Sequence, residues 1–181
     1  MKDELRKKYK SLRKNLSGFQ KNTYSKTIFN KCVSQFKLEN KNISVFIPIT
    51  KFNEIDTWYF LNNLNAKFYL PVVQSKILKH IKYENRTQLK MSEWGILEPK
   101  HGEEVNPNSF DFVIVPLLAY DLKGNRVGYG AGFYDTFLKD CNPNCVFIGV
   151  SFFESELELI ETYSADIPLH YCITPNKVYQ F

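Results

Sequence analysis

Three glycines alternate with other residues in segment 125–135, which reads NRVGYGAGFYD. Glycine tolerates positive φ and lets a ligand come close to the backbone, so the amides of Gly128, Gly130 and Gly132 can converge on an anion. The spacing matches neither GxxxxGK[ST] nor GxGxxG, the two familiar phosphate-loop patterns. The segment is therefore either a phosphate cradle or a glycine-rich turn between a strand and a helix.

Two charged residues flank the glycines: Arg126 precedes them and Asp135 follows them. Arg126 is a cation that could contact a phosphate. Asp135 could bind Mg²⁺, which prefers oxygen ligands and is usually shared between one or two carboxylates and the substrate's phosphates. Asp135 could equally pair with a cation. The combination favours a nucleoside triphosphate and does not identify a second substrate.

The rest of the chain supplies the elements that must position this segment. Apolar positions at helical spacing predict helices at 2–16, from the Ser17/Gln20 capping box onward, around Trp58, at 133–139 and at 154–163. Apolar, β-branched runs predict strands at 43–47, 67–73 (interrupted by Pro71), 112–118, 145–150 and 171–174, with 77–83 at a sheet edge and 94–99 in a loop. We predict a single α/β domain, residues 1–181, with three α/β/α layers and a mostly parallel sheet. The glycine segment follows the central strand, and ligands bind at the carboxyl ends of such strands.

Composition limits the functional class. The 181 residues are 44% hydrophobic and 15% aromatic, which argues against disorder. The net charge of +5 favours anionic partners, and much of it lies in the first 14 residues. The four cysteines form no CxxC pair, and Cys141/Cys145 have no neighbouring histidine, so we expect reduced thiols. With no apolar run of membrane-spanning length, we expect a cytoplasmic monomer that binds small molecules, without a membrane or nucleic-acid partner.

Four segments carry a resemblance to a known family. Residues 2–6 (KDELR), 54–57 (EIDT), 94–99 (WGILEP) and 126–135 (RVGYGAGFYD) resemble the KxxLR, E-[IV]-x-T, aromatic-GI-x-EP and RxGxGxGxYD motifs of 5-formyltetrahydrofolate cyclo-ligases, also called 5,10-methenyltetrahydrofolate synthetases. The resemblance implies an enzyme that uses ATP and Mg²⁺ to convert 5-formyltetrahydrofolate, with or without a polyglutamate tail, to 5,10-methenyltetrahydrofolate. The formyl oxygen would attack the γ-phosphate, N10 would close the ring, and ADP and phosphate would be released.

The resemblance also implies site residues. For ATP they are Lys2, Arg6, Arg126, Gly128, Gly130, Gly132 and Tyr134. For folate they are Ile49, Glu54, Trp94, Tyr129 and Phe133. Asp135 would bind Mg²⁺, and Arg126 and Asp135 would be catalytic. One departure is His170, which stands where the family often has the second acid of an HDxxxD pattern that begins, here, with Asp166. Histidine is a poor Mg²⁺ ligand, so His170 is left out of the metal set.

Other interpretations stay open from the residues alone. Lys2 and Arg6 could form a solvated helix face, Glu54 could mark a helix start, and either Phe133 or Tyr134 could belong to the core. The same layered architecture hosts sugar-phosphate isomerases and CoA transferases, and an isomerase would need neither nucleotide nor Mg²⁺. A nucleic-acid-binding module using the first helix would bind with a steep salt dependence.

Overall fold

The computed structural model describes residues 1–92 and 95–181. Its α-helices are α1 (Lys2–Asn15), α2 (Gly18–Gln35), α3 (Trp58–Asn63) and α4 (Phe133–Lys139). Its strands are β1 (Asn42–Ser44), β2 (Lys67–Gln74), β3 (Ile77–Lys82), β4 (Leu89–Met91), β5 (Leu97–Pro99), β6 (Phe112–Pro116), β7 (Ala119–Tyr120), β8 (Arg126–Val127), β9 (Val146–Val150), β10 (Tyr171–Ile173) and β11 (Val178–Gln180).

A seven-stranded sheet in the order β11-β10-β9-β6-β1-β2-β3 forms the middle layer. Its inner strands pair in parallel, whereas β3 and β11 pair antiparallel at the two edges. The mostly parallel sheet, the central position of β6, the β1-α3-β2 crossover and the edge position of β3 are all confirmed. β11 was not foreseen from the sequence.

Helices cover both faces of this sheet. Along β6, Ile114 packs in one core cluster with residues of α2 and α3, while its neighbours Val113 and Val115 pack in another with Phe137 of α4. Since successive strand residues point to opposite faces, the two clusters lie on opposite sides of the sheet. The three-layer α/β/α prediction is confirmed.

The first helix sits apart from these layers. α1 packs against β7 and β8, which form their own small hairpin, and buries Tyr9 and Arg13 there. The predicted capping box follows it: the Gln20 amide donates to Ser17 Oγ (3.1 Å) and the Ser17 amide donates to Gln20 Oε1 (2.9 Å). The basic helix is thereby placed beside the segment that leads to the glycines.

Three local predictions were wrong. Residues 154–163 form no helix, because their backbone bonds elsewhere: the Glu156 amide donates to the Tyr120 carbonyl and the Ile160 amide to Asp121 Oδ2. β2 runs through Pro71, which lies beyond the last residue paired with β1 (Tyr69), so its missing N–H leaves that pairing intact. Part of the expected 94–99 loop is β5, which pairs with β4. Among the described residues, no helix has the length and apolar character needed to cross a membrane.

Candidate active site

The β7–β8 hairpin carries the glycine segment to the carboxyl edge of the sheet, since β8 leads directly into Gly128. Gly130 and Gly132 have φ values of +104° and +71°, in the region that favours glycine. Gly128 has no positive φ, and its carbonyl accepts a hydrogen bond from Arg6 Nε at 2.9 Å. The expectation of positive φ at alternate positions is therefore correct for two of the three glycines.

A buried carboxylate fixes the turn before the glycines. Asp121 is fully buried, and its Oδ1 accepts from the amides of Lys123 (2.8 Å) and Asn125 (3.0 Å). Its Oδ2 accepts from Asn125 Nδ2 and from the Ile160 amide, both at 2.8 Å. Four donors around one carboxylate compensate its burial and tie the turn to the loop at 160.

A cavity of about 350 Å³ lies along the glycine segment. Lys2 and Arg6 of α1 line it together with Arg126 of β8. The Lys2 and Arg6 side chains are only 14% and 22% exposed, so they do not form a solvated helix face. The structure thus brings together the three cations predicted for the triphosphate, next to Gly128, Gly130 and Gly132.

Two carboxylates line the same cavity, and each is paired with one of those cations. Asp135 Oδ1 lies 2.7 Å from Arg126 Nη2 and also accepts from the Ile167 amide at 3.2 Å. Asp166 Oδ2 lies 2.6 Å from Lys2 Nζ. The cation partner that the sequence left open for Asp135 is therefore present, while Asp135 Oδ2 and Asp166 Oδ1 have no hydrogen-bond partner in the described part of the chain.

These two free oxygens fit a magnesium ion shared with phosphates. Mg²⁺ is usually held by one or two carboxylates plus substrate oxygens and water. Within residues 1–92 and 95–181, no group of three or more His, Cys, Asp or Glu side chains could hold a metal by itself. Burial acts to raise the pKa of Asp166, but hydrogen bonds from Lys2 and the Tyr163 amide hold this pKa below its usual value, so the carboxyl is ionised.

A second cavity, of about 420 Å³, contains Glu54 and part of the loop that follows β1. Glu54 Oε2 accepts from the Ile49 amide at 2.7 Å, which places these two predicted folate contacts side by side. Burial raises the pKa of Glu54, whereas the Ile49 amide, the Tyr129 hydroxyl and the Arg13 charge act to lower it. Trp94 lies outside the described residues.

Tyr129 forms the contact between the two cavities. Its ring lines the first cavity and stacks on Phe52 with a centroid distance of 5.0 Å, while its hydroxyl donates to Glu54 Oε1 at 2.6 Å. Phe133 also lines the first cavity. These two predicted folate contacts therefore lie on the same cavity as the predicted phosphate ligands, and Tyr129 alone of the two reaches Glu54.

Tyr134 has a mixed environment. It lines the first cavity, yet it also packs against the core beside Phe137, at a centroid distance of 6.1 Å. Its buried hydroxyl has no hydrogen-bond partner among the described residues. The sequence left open whether Phe133 or Tyr134 belongs to the core, and it is Tyr134 that packs there.

Comparison with known proteins decides the family. The sequence model described as the 5-formyltetrahydrofolate cyclo-ligase family matches residues 1–175. The chain belongs to this family. The 5-formyltetrahydrofolate cyclo-ligase of Haemophilus influenzae is 30% identical over 176 residues, which cover 92% of this chain and 93% of the relative. The enzyme of the same name from Escherichia coli K12 is 31% identical over 148 residues, or 77% and 80% of the two chains.

Solved structures agree with this assignment. The NMR structure of Aquifex aeolicus 5,10-methenyltetrahydrofolate synthetase matches with a TM-score of 0.82 and 30% identity, covering 99% of this chain and 92% of that chain. A 5,10-methenyltetrahydrofolate synthetase from Mycoplasma pneumoniae matches with a TM-score of 0.76 and 24% identity over 96% and 98% of the chains, which supports the fold. The predicted family, the fold and the assignment to the ligases are confirmed.

Two residues of this candidate site were not predicted from the sequence. Arg13 was counted only as part of a basic helix, yet it is 4% exposed and donates to the Tyr129 hydroxyl at 2.9 Å. Its spacing of four from buried Tyr9 was the available signal, because residues at i and i+4 share a helix face. Asp121 was also missed, although Asp-x-x-Gly is typical of a turn in which the aspartate caps backbone amides.

His170 takes no part in either cavity. Its Nδ1 accepts from the Phe147 amide at 2.9 Å, and its ring stacks on Phe147 with a centroid distance of 4.8 Å. The side chain is thus engaged with β9, and Asp166 lies on the first cavity instead. The exclusion of His170 as a metal ligand stays a prediction.

Proposed function

We propose that this protein uses ATP and Mg²⁺ to cyclise 5-formyltetrahydrofolate to 5,10-methenyltetrahydrofolate, with release of ADP and phosphate. The observation that carries the proposal is the cavity where Lys2, Arg6 and Arg126 surround the glycine segment, adjoining a second cavity that contains Glu54. Family membership supplies the reaction class, and the cavity supplies groups that suit a triphosphate.

The pairing of charges in the first cavity supports a nucleotide that arrives with its metal. Two cations are each held by a carboxylate, in the pairs Arg126–Asp135 and Lys2–Asp166. A triphosphate would attract the cations, and a magnesium ion would attract the carboxylates. When the two bind together, each cation exchanges its carboxylate for a phosphate, and each carboxylate exchanges its cation for the metal. Free ATP would instead bring its negative charge against both carboxylates, which is unfavourable. Asp135 and Asp166 would hold Mg²⁺, whose contribution is to neutralise charge on the phosphates.

The second cavity suits the pterin. Glu54 is an acceptor that can bind the pterin's amino and ring N–H groups, and the Ile49 amide orients it. Tyr129 and Phe133 offer aromatic surface on the phosphate side, where the formyl group must meet ATP. The contribution of Trp94 to this surface stays a prediction.

The chain's residues then have to align and neutralise, because phosphoryl transfer asks little covalent chemistry of a protein. The formyl oxygen attacks the γ-phosphorus and the bond to ADP breaks. N10 next adds to the formyl carbon, the carbon–oxygen bond breaks, phosphate leaves with its bonding electrons, and N10 loses its proton. Arg126 would stabilise the transferred phosphoryl group, and Lys2 and Arg6 would bind the remaining phosphates.

Absorbance of the methenyl product tests this proposal directly. Purified protein should form product from 5-formyltetrahydrofolate only when ATP and Mg²⁺ are both present, and Arg126→Ala should abolish turnover while the exposed-site control Lys139→Ala retains it. Folded protein that makes no product under these conditions would refute the activity. A monomeric state, a cytoplasmic location and acceptance of polyglutamylated folate stay predictions, to be checked by light scattering, by localisation and by substrate comparison.

A further inference from the structure

Arg13 is a buried cation with no ion pair in the described part of the chain. It is 4% exposed, and its guanidinium donates to the Leu117 carbonyl and to the Tyr129 hydroxyl. Its Nε is buried without a partner among the described residues. Burying a charge is costly unless it is compensated, so a partner for this charge is expected nearby.

That partner is reached through Tyr129. Arginine can only donate hydrogen bonds, and an ionised carboxylate can only accept them. The Tyr129 oxygen therefore accepts from Arg13 Nη1 (2.9 Å) and uses its one proton for Glu54 Oε1 (2.6 Å). While Glu54 is ionised, the order Arg13 to Tyr129 to Glu54 has a single possible direction, and each donor in such a chain polarises the next.

We propose that Arg13 is a positioning residue for folate, which keeps Glu54 oriented as a hydrogen-bond acceptor by acting through the Tyr129 hydroxyl. The inference rests on the proposed function, because it assigns a purpose to Glu54 as the pterin contact. Arg13 lines neither cavity, whereas Tyr129 lines the first and Glu54 the second. Arg13 would therefore influence the ligand indirectly, through Tyr129 and Glu54.

The geometry separates this role from plain packing. The Tyr129 ring is already held by its stack on Phe52, so the hydroxyl is not needed to place the ring. Glu54 has one oxygen held by the Ile49 amide and the other by the tyrosine. Among the described residues, loss of the hydroxyl would leave Glu54 with the Ile49 amide as its one hydrogen-bond donor, so the carboxylate could turn and would be easier to protonate.

Several charges bear on Glu54, and the experiment has to account for them. The ionisable groups that face Glu54, or the Tyr129 and Phe52 rings beside it, come from α1, α2, the loop around 51–56 and the glycine segment: Lys10, Arg13, Lys21, Lys51, Asp56, Tyr129 and Tyr134. Burial raises the pKa of Glu54 and the Arg13 charge opposes this rise. Removing the Arg13 charge should therefore raise the pKa of Glu54 further and protonate more of it at a given pH.

The test measures the carboxyl and the ligand separately. ¹³C-NMR titration of protein labelled at glutamate Cδ, with the Glu54→Gln variant identifying the resonance, should show a higher pKa for Glu54 in Arg13→Met and in Tyr129→Phe than in the unaltered protein. The exposed neighbour Lys14→Met removes the same charge from α1 and should leave this pKa in place. The titration needs no substrate, so it can succeed or fail independently of the proposed reaction.

Binding measurements complete the test. Arg13→Met and Tyr129→Phe should each weaken the binding of 5-formyltetrahydrofolate about tenfold, because each removes a charge-assisted contact. This loss of affinity should grow as pH falls, while the affinity for Mg·ATP should change far less. The double variant should be no weaker than either single one, because the two residues act in one chain. Additive losses, or an unmoved Glu54 pKa in Tyr129→Phe, would overturn the proposal even if Arg13→Met failed to fold.

Discussion

Asp135→Asn should change nucleotide affinity in opposite directions with and without magnesium. The substitution keeps the side chain's shape and an oxygen that can accept from Arg126 and from the Ile167 amide, now at 2.7 and 3.2 Å. What it removes is one negative charge in a cavity where the phosphates are expected. If Asp135 binds the metal, the variant should lose affinity for Mg·ATP while it gains affinity for free ATP. If Asp135 only pairs with Arg126, the two affinities should change together.

The size of the effect follows from the charge. Two unit charges 4 Å apart interact by about 1 kcal/mol in water and about 4 kcal/mol near a protein surface, and the cavity is partly open, so about 1–2 kcal/mol is expected. Free ATP should therefore bind about 5- to 30-fold more tightly to the variant. Mg·ATP should bind at least about 10- to 100-fold more weakly, because the metal loses a carboxylate ligand and even an outer-shell partner of a metal ligand is worth that much. The Arg126 side chain is 5% exposed but retains the Ile167 carbonyl, so the free energy of unfolding should fall by only about 1–2 kcal/mol.

Isothermal titration calorimetry with ATP, once in excess chelator and once in excess MgCl₂, measures both affinities. Asp140→Asn is the matched control, because this exposed aspartate caps the same helix at its other end and lines neither cavity. Both of its affinities should stay near those of the unaltered protein. Equal weakening of ATP and Mg·ATP by Asp135→Asn, or no change in either, would show that Asp135 does not hold the metal.

Three further predictions concern the scaffold. Gly130→Ala should lower the free energy of unfolding, measured by chemical denaturation, by about 1–2 kcal/mol, since φ is +104° and the new Cβ would lie 3.3 Å from Arg6 Cζ. Gly128→Ala is the control: this glycine has open space around it and no positive φ, so the same measurement should show a much smaller loss. Asp121→Ala leaves four donors without their acceptor and should cost about 3–5 kcal/mol in the same assay, with a higher KM for ATP in any folded fraction. His80 has a pKa lowered by burial to about 3 from 6.5, so its neutral form favours the fold above pH 6.5, and this stability is lost as pH falls from 6.5 towards 3. This loss amounts to about 1.4 kcal/mol of unfolding free energy per pH unit, and His80→Gln should remove it when chemical denaturation is repeated at several pH values. An unchanged dependence on pH would show that His80 is not its source.

The parts of the fold that were predicted correctly depend on local patterns. β6 is an unbroken apolar run that fits a strand buried on both faces, and the Ser17/Gln20 capping box is complete within four residues. The failure at 154–163 has a distant cause. Its amides bond to Tyr120 and Asp121, more than thirty positions earlier in the chain, and no local pattern contains that information.

The candidate site divides in the same way. Arg126 and the glycines could be chosen from their types and spacing, which suit a phosphate. Lys2 and Arg6 could be chosen only through the resemblance to the cyclo-ligase family, because the residues alone fit a solvated helix face equally well. The motifs did not show that Lys2 and Arg126 are already paired with carboxylates, nor that Arg13 reaches Glu54 through Tyr129. The two hydrogen bonds of Tyr129 join residues 116 and 75 positions apart in the sequence, so they exist only once the fold has brought α1, the loop after β1 and the glycine segment together.

Arg6 shows why the first and last motifs of this chain form one structural unit. Its Nε bonds to the Gly128 carbonyl across 122 positions, and its guanidinium lies where a Cβ at residue 130 would press on it. Besides their proposed role in phosphate binding, the glycines accommodate Arg6: Gly128 supplies a carbonyl acceptor, and Gly130 leaves open the space beside the guanidinium. It follows that a side chain at position 130 should displace the Arg6 guanidinium. It also follows that substitution of Arg6 should make the glycine segment more mobile even in the absence of nucleotide.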